Sequence, residues 1–170
     1  MNKNKRLHNN CVKYKFNSNN ELFVLVYMKK NNGKKVYRKI VELFESDMRR
    51  LNDMCFEQED LHEMSDATFF CAVFTQSRKV HFKVRFKLRF MMNFYDEGDG
   101  DTMIYDVCKM WNRRNVFKDA LNFCLKHCPV NKHRLFLEVL TVNPALCVYI
   151  KSGFVPVRIQ NDSILMKFSK

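Results

Sequence analysis

The sequence predicts one α/β domain, of the α+β type, built on a mixed sheet with helices on both faces. Three observations predict it. Short apolar strand patterns alternate with helical patterns along the 170 residues, a length that suits one domain. No Pro- or Gly-rich linker divides them, and hydrophobic residues make up 46% of the chain, with sixteen Phe, which indicates a packed core. The apolar run at 22–28 is far below the roughly 18–20 residues that span a bilayer, so we expect an intracellular protein of the cytoplasm or nucleus without a membrane partner.

The first elements follow from periodicity and turn residues. Residues 1–20 are polar, basic and rich in Asn, so we expect a flexible N-terminus, with the domain over 21–170. A strand is predicted over 21–29 and a turn at 31–35, where Asn-Asn-Gly stands. Apolar residues recurring at three and four predict a helix over 41–56.

Charge is distributed unevenly along the chain, whose formal net charge is +12. Residues 57–66 reverse that sign with five carboxylates, which indicates either a solvated short helix or a surface that attracts a cationic acceptor. After a strand at 67–75, a second strand from Val80 alternates apolar and basic residues. Its basic stripe comprises Lys83, Arg85, Lys87 and Arg89. The stripe is interpreted as a solvated strand face, with contact to a polyanion or nucleic acid as the alternative.

The second half of the chain continues the α/β order. After the turn signal at 98–100, a strand is predicted over 102–111 and a helix over 116–128, which Pro129 ends. A strand at 134–142 and a short helix follow. Two strands, 154–160 and 164–170, then form a closing hairpin around Asn-Asp-Ser.

The seven cysteines are an odd number without a CxxC pair, and several stand among apolar residues. This predicts buried thiols in a reducing compartment. Cys124, His127 and Cys128 fall within about one helical turn and would need His133 or another residue to complete a zinc site. We favour core thiols on the helix and predict no metal.

The stretch "NPALCVYIKSGF", residues 143–154, carries the most specific pattern. Asn143 can cap a helix, Pro144 suits its first turn, and Gly153 suits its left-handed end. In its setting between two strands, the stretch resembles the "N..A...Y.K.GF" ending of the GNAT superfamily of N-acyltransferases. The matching residues are Asn143, Ala145, Tyr149, Lys151, Gly153 and Phe154.

The loop before the helix at 116–128 departs from the family pattern. That pattern is Gln or Arg, two residues, Gly, one residue, then Gly or Ala, and here Asn112, Asn115 and Phe117 take those places. Glycine allows backbone N–H groups to close on a pyrophosphate at a helix N-terminus. Asn115 can still adopt a positive φ, whereas the Phe117 side chain is expected to lie where the phosphates approach. Arg113 and Arg114 are expected to hold phosphates by their side chains instead.

The resemblance implies a mostly antiparallel, twisted sheet with a wedge between two central parallel strands, 101–111 and 134–142. It implies acetyl-CoA as the cofactor, with pantetheine along the first of these strands. The implied cofactor-binding residues are Val107, Cys108, Lys109, Asn112, Arg113, Arg114, Asn115, Val116, Phe117 and Asn143.

The resemblance also implies catalytic roles. Tyr149 matches the general acid that acts on the leaving thiolate, and Glu138 is the preferred general base, with Asp106 as the other ionisable candidate. The expected function is transfer of acetyl from acetyl-CoA to an amine-bearing small molecule or protein. The alternative is a catalytically inactive GNAT-like protein whose basic surface binds an acidic protein or nucleic acid. The composition, rich in Lys, Asn, Phe and Met and poor in Gly, is typical of AT-rich genomes such as those of large DNA viruses.

Overall fold

The structure is a computed structural model that describes residues 12–17, 19–28, 31–55, 66–76, 86–109 and 115–170. In chain order the elements are β1 (Val12–Phe16), β2 (Glu21–Tyr27), α1 (Asn31–Cys55), β3 (Phe69–Gln76), β4 (Phe86–Gly98), β5 (Asp101–Lys109), α2 (Val116–His127), a short 3-10 helix (Lys132–Arg134), β6 (Leu135–Leu140), α3 (Leu146–Ser152), β7 (Phe154–Gln160) and β8 (Ser163–Phe168).

The strands form one sheet in the order β1-β2-β3-β4-β5-β6-β8-β7. Every neighbouring pair is antiparallel except β5 and β6, which are parallel. This confirms the predicted mixed, mostly antiparallel sheet.

Successive residues of the central strands point to opposite faces, and each face carries its own core. Along β2, Val24 and Val26 join the core that contains residues of α1. Phe23 and Leu25 join the core that contains residues of α2 and α3. Both faces of the sheet are therefore covered by helices, as predicted, and each face buries the side chains that period-two geometry directs to it.

The predicted alternation along β4 is interrupted. Val73 pairs with Phe90 and Phe74 pairs with Leu88, so Arg89 is an extra residue in a β-bulge. Leu88 consequently lies in the α1 core and Phe90 in the α2 core, although the sequence pattern put both on one side. The strand also continues to Gly98, beyond the end predicted for it near Phe90.

Two predictions near the N-terminus are wrong. Val12–Phe16, within the stretch expected to be flexible, pairs along its whole length with β2 as the edge strand β1. The turn predicted at 31–35 is the beginning of α1. Gly33 is buried there, and an added Cβ would overlap the Tyr27 carbonyl oxygen, so glycine serves close approach of the helix to β2 rather than a turn.

The cysteines agree only in part with the prediction of buried thiols. Cys71, Cys124 and Cys128 are free and buried, and Cys147 is free but exposed. Cys108, by contrast, is disulfide-bonded. The described residues contain no group of three or more His, Cys, Asp or Glu that could hold a metal ion. None of the helices within the described ranges is long and apolar enough to cross a membrane.

Candidate functional site

A wedge opens in the sheet between β5 and β6. The two strands pair only over Thr102–Ile104 and Leu135–Leu137, after which each keeps its other neighbour alone. Phe94 pairs with Ile104 and Met92 with Val107, so β5 carries one extra residue that bends the strand at this point. This confirms the prediction that these two strands are parallel neighbours that separate along their length. Beyond these three pairs, β5 and β6 are no longer paired with each other.

After β5, the structure next describes the chain at Asn115, the residue before α2. Asn115 has φ 69° and ψ 5°. This is the left-handed conformation that the family pattern assigns to glycine, and Asn is among the residue types that adopt it most readily. The Asn115 carbonyl accepts the first backbone bond of the helix, from Asp119 N–H at 2.8 Å. The N–H groups of the first turn then have no partner within the helix, which suits an anion.

The Phe117 side chain points into the core. It is 4% exposed, and its ring centroid lies 5.0 Å from that of Tyr149 and 6.4 Å from that of Phe154. The expectation that this side chain lies in the path of the phosphates is therefore wrong. The apolar stripe of α2 turns toward the sheet from its first residues, and the aromatic ring follows that stripe.

Tyr149 lies between α2 and the closing hairpin. It is 8% exposed, and its ring contacts Phe117 and Phe154 in edge-to-face arrangements. Burial raises the pKa of its phenol above the usual value. The hydroxyl therefore stays protonated at neutral pH, as a proton donor requires.

Glu138 lies on the other face of the sheet from Tyr149. Leu137 and Val139 point into the core shared with Tyr149, while Glu138 between them is exposed. Its carboxylate accepts a hydrogen bond from the Ser163 hydroxyl, which β8 brings opposite β6. The two groups therefore lie on opposite faces of the sheet. The sequence placed Ser163 in a turn and gave no signal for its contact with Glu138.

Asn143 makes the side-chain hydrogen bond expected of a helix cap, just before the first residue of α3. Its side-chain oxygen accepts from Ala145 N–H at 2.8 Å, and its carbonyl accepts from Leu146 N–H at 3.0 Å. These bonds build the turn that leads from β6 into α3, which begins later than predicted, at Leu146. At the other end Gly153 has φ 111° and donates its N–H to the Ile150 carbonyl, as the motif predicted.

The structure describes some of the remaining predicted site residues but not all of them. Val116 is buried in the α2 core, and Val107 packs against that core. Cys108 is buried in the α1 core and Lys109 is exposed, so neighbouring residues of β5 face opposite sides. Asn112, Arg113 and Arg114 lie outside the described residues, as do the side chain of Asp106, the segment 57–65, and Lys83 and Arg85 of the basic stripe. Lys87 pairs with Thr75, and Arg89 donates to the Thr75 hydroxyl at 3.2 Å.

Several solved structures share this fold. The ribosomal-protein-S5-alanine acetyltransferase from Vibrio fischeri superposes with a TM-score of 0.53 at 12% identity, over 92% of this chain and 94% of that chain. An acyl-CoA N-acyltransferase from Pseudomonas aeruginosa gives 0.51 at 14% identity, over 86% and 99%. A GNAT-family acetyltransferase from Listeria monocytogenes gives 0.50 at 15% identity, over 85% and 93%.

The comparison shows that the chain has the GNAT fold. No protein-family model and no curated protein matches the chain. At these identities the likeness is one of fold, and the function must be argued from the site.

Proposed function

We propose that this chain is an N-acetyltransferase that binds acetyl-CoA in the wedge and acetylates an amine on a small molecule or protein. The observation that carries the proposal is the wedge between β5 and β6 together with the left-handed backbone of Asn115, directly before α2. An extended ligand held by β5 would reach the first-turn N–H groups of α2 with its phosphates. The inward direction of Phe117 leaves that approach open.

The residues of the chain fit the cofactor in three places. The backbone of Val107–Lys109 lines the side of the wedge where the amide groups of pantetheine could bind. Asn115 and the N–H groups of Val116 and Phe117 suit the pyrophosphate, and Arg113 and Arg114 would add charge. When bound, acetyl-CoA supplies an acetyl group as a thioester, whose C–S bond breaks as the amine nitrogen bonds to the carbonyl carbon.

Two side chains of the chain handle the protons. The exposed carboxylate of Glu138, held by the Ser163 hydroxyl, would take the proton of the acceptor amine, directly or through water. The Tyr149 phenol would donate to the departing sulfur. Because an ordinary thiol has a pKa of about 8.5 and burial raises that of Tyr149, the phenol stabilises the sulfur better as a hydrogen-bond donor than by complete transfer.

A second candidate function has its own support. Phe117 covers one side of the Tyr149 ring, at 5.0 Å between centroids, and stands where the family has a small residue. A protein that keeps the fold but has no catalytic activity would not need an accessible Tyr149, so Phe117 could pack against it. In that case the basic surface, including Lys87 and Arg89, would bind an acidic protein or nucleic acid, in line with the net charge of +12.

Calorimetric titration with acetyl-CoA, followed by a thiol-release assay over a panel of amines and basic peptides, tests the proposal. We expect saturable binding, weaker binding of acetyl-pantetheine, which lacks the pyrophosphate, and thiol release that depends on the amine. The matched control is Tyr149→Phe, which should bind acetyl-CoA as the wild type does but release thiol slowly. No binding at millimolar acetyl-CoA would exclude the enzyme and leave the inactive GNAT-like protein.

A further inference from the structure

A groove of about 370 Å³ runs between the outer side of α2 and the end of β8. Four lysines line it, Lys118, Lys126, Lys132 and Lys170, and apolar atoms of Leu125 and Phe168 contribute to its wall. No carboxylate side chain is among the residues that line it. The groove therefore concentrates positive charge in a concave surface, where field lines are focused.

Among the residues that the structure describes, none forms an ion pair with the lysines of the groove. Within the described ranges the salt bridges that the structure shows involve Lys34, Lys39, Arg49 and Arg134, all outside this groove. Lys170 donates its amino group to the Lys151 carbonyl at 3.4 Å, a bond that leaves its charge uncompensated. A ligand that enters the groove would not have to displace an acidic partner.

The positive surface extends past the groove toward the edge of the sheet. His127, in the last turn of α2, has a pKa lowered by burial first and then by the charges of Lys13, Lys126 and Lys15. Lys13 and Lys15 belong to β1, so the field reaches from the groove to the edge strand. The imidazole senses that field directly, which makes it a probe of any anion that binds there.

We propose that this groove binds the phosphate backbone of double-stranded nucleic acid without reading its sequence. Lysine binds phosphate as a point charge, and the positively charged residues that the structure shows lining the groove are all lysines. Among the residues that the structure describes around the groove, the aromatic one is Phe168, which is 5% exposed and therefore offers no platform for unstacked bases. Lys118 and Lys126 are about 12 Å apart along the helix, the rise of three to four phosphates on one strand of a duplex.

The test uses fluorescence anisotropy with a labelled 20-base-pair DNA duplex of mixed sequence, between 50 and 200 mM NaCl. The variant is Lys126→Gln with Lys132→Gln, which avoids Lys118 because that residue lies in the first turn of α2. The matched control is Lys34→Gln with Lys39→Gln on α1, which removes the same charge from the other side of the sheet. We expect the slope of log affinity against log salt to fall by about 1.8 in the groove variant, and little change in the control.

A second reading comes from His127. Its imidazole pKa, followed by NMR, should rise when the duplex binds and should rise in the free groove variant, because both reduce the positive field. Four results would overturn the proposal. These are no duplex binding by the wild type, equal losses in the two variants, tighter binding of single-stranded DNA or poly-glutamate, and displacement of the duplex by stoichiometric acetyl-CoA. The last result would assign the groove to the cofactor, whereas a failure to bind acetyl-CoA would leave the groove proposal intact.

Discussion

Two residues of this chain hold a left-handed backbone at helix ends beside the wedge, and only one of them is glycine. Gly153 closes α3 with φ 111°, and Asn115 opens α2 with φ 69°. The first matches the family motif, and the second stands where that motif has glycine. The left-handed backbone is thus present at both places, although glycine is present at only one of them.

Gly153 and Asn115 differ in their φ angles and in the space available for a side chain. The φ of Gly153 is beyond the range that L-residues adopt comfortably, and a Cβ there would lie 2.6 Å from a carbon of the Lys170 side chain. Asn115 is exposed, and its φ falls in the region that Asn occupies most easily. A missing glycine therefore indicates a lost conformation only where φ or space excludes every other residue.

The largest predicted effect comes from removing the Phe117 ring, which lies between the two helix ends. Phe117→Ala removes contacts with Tyr149 and Phe154 and leaves a cavity, so we expect a loss of about 3–5 kcal/mol in the free energy of unfolding. Urea denaturation measures it, with Phe16→Ala, at an exposed position of β1, as the control with little effect. Placing glycine at 117 should likewise destabilise the protein rather than improve cofactor binding. Unchanged stability in Phe117→Ala would mean that the ring is not packed in the core. It would then be expected to lie where the phosphates approach α2.

The second prediction separates the chemistry of the α3 end from the binding at the α2 end. Tyr149→Phe keeps the buried ring and its aromatic contacts but removes the proton donor. We expect kcat to fall by about 10²-fold, the lower range for loss of one hydrogen-bond donor to developing negative charge, while the Kd for acetyl-CoA stays within twofold. Isothermal titration and initial rates on the same preparation check both values. A full rate in the variant would remove Tyr149 from the chemistry.

The third prediction compares the two left-handed residues directly. Gly153→Ala should cost about 1–3 kcal/mol of unfolding free energy, because alanine is strained at that φ and Lys170 must move. Asn115→Gly should change stability by only a few tenths of a kcal/mol and preserve acetyl-CoA binding. Asn115→Val, which is β-branched at a positive φ, should weaken both. Equal costs for Gly153→Ala and Asn115→Gly would show that the two positions do not differ as argued.

Patterns of local origin were predictable from the sequence. The apolar stripe of α2, the hairpin of β7 and β8, and the left-handed Gly153 depend on neighbours close in the chain, and each is present. The wedge was anticipated from the resemblance, since no local pattern specifies that β5 and β6 part after three pairs.

Features set by distant partners were not predictable in this way. The bulge at Arg89 depends on register with β3, and the buried Gly33 depends on the Tyr27 carbonyl. The contact of Ser163 with Glu138 depends on the pairing of β8 with β6. Phe117 was misplaced because its position in the motif was given more weight than its place on the apolar stripe of α2.

The smallest predicted effect concerns the phenol at the centre of the comparison. Burial raises the pKa of Tyr149 in the folded state, so its contribution to stability is complete below the unfolded pKa of about 10 and is lost as the pH rises through the folded value. The free energy of unfolding of the wild type should therefore decline more steeply above pH 10 than that of Tyr149→Phe. Buried Cys124, whose pKa burial also raises, is present in both proteins, so its titration cancels in the difference. Tyr14→Phe is the matched control, because that phenol has a raised pKa but lies on the exposed edge strand, where solvent screens the effect. Parallel pH profiles for wild type and Tyr149→Phe would mean that the Tyr149 hydroxyl is solvated. In that case Phe117 contacts the ring of Tyr149 without excluding water from its hydroxyl.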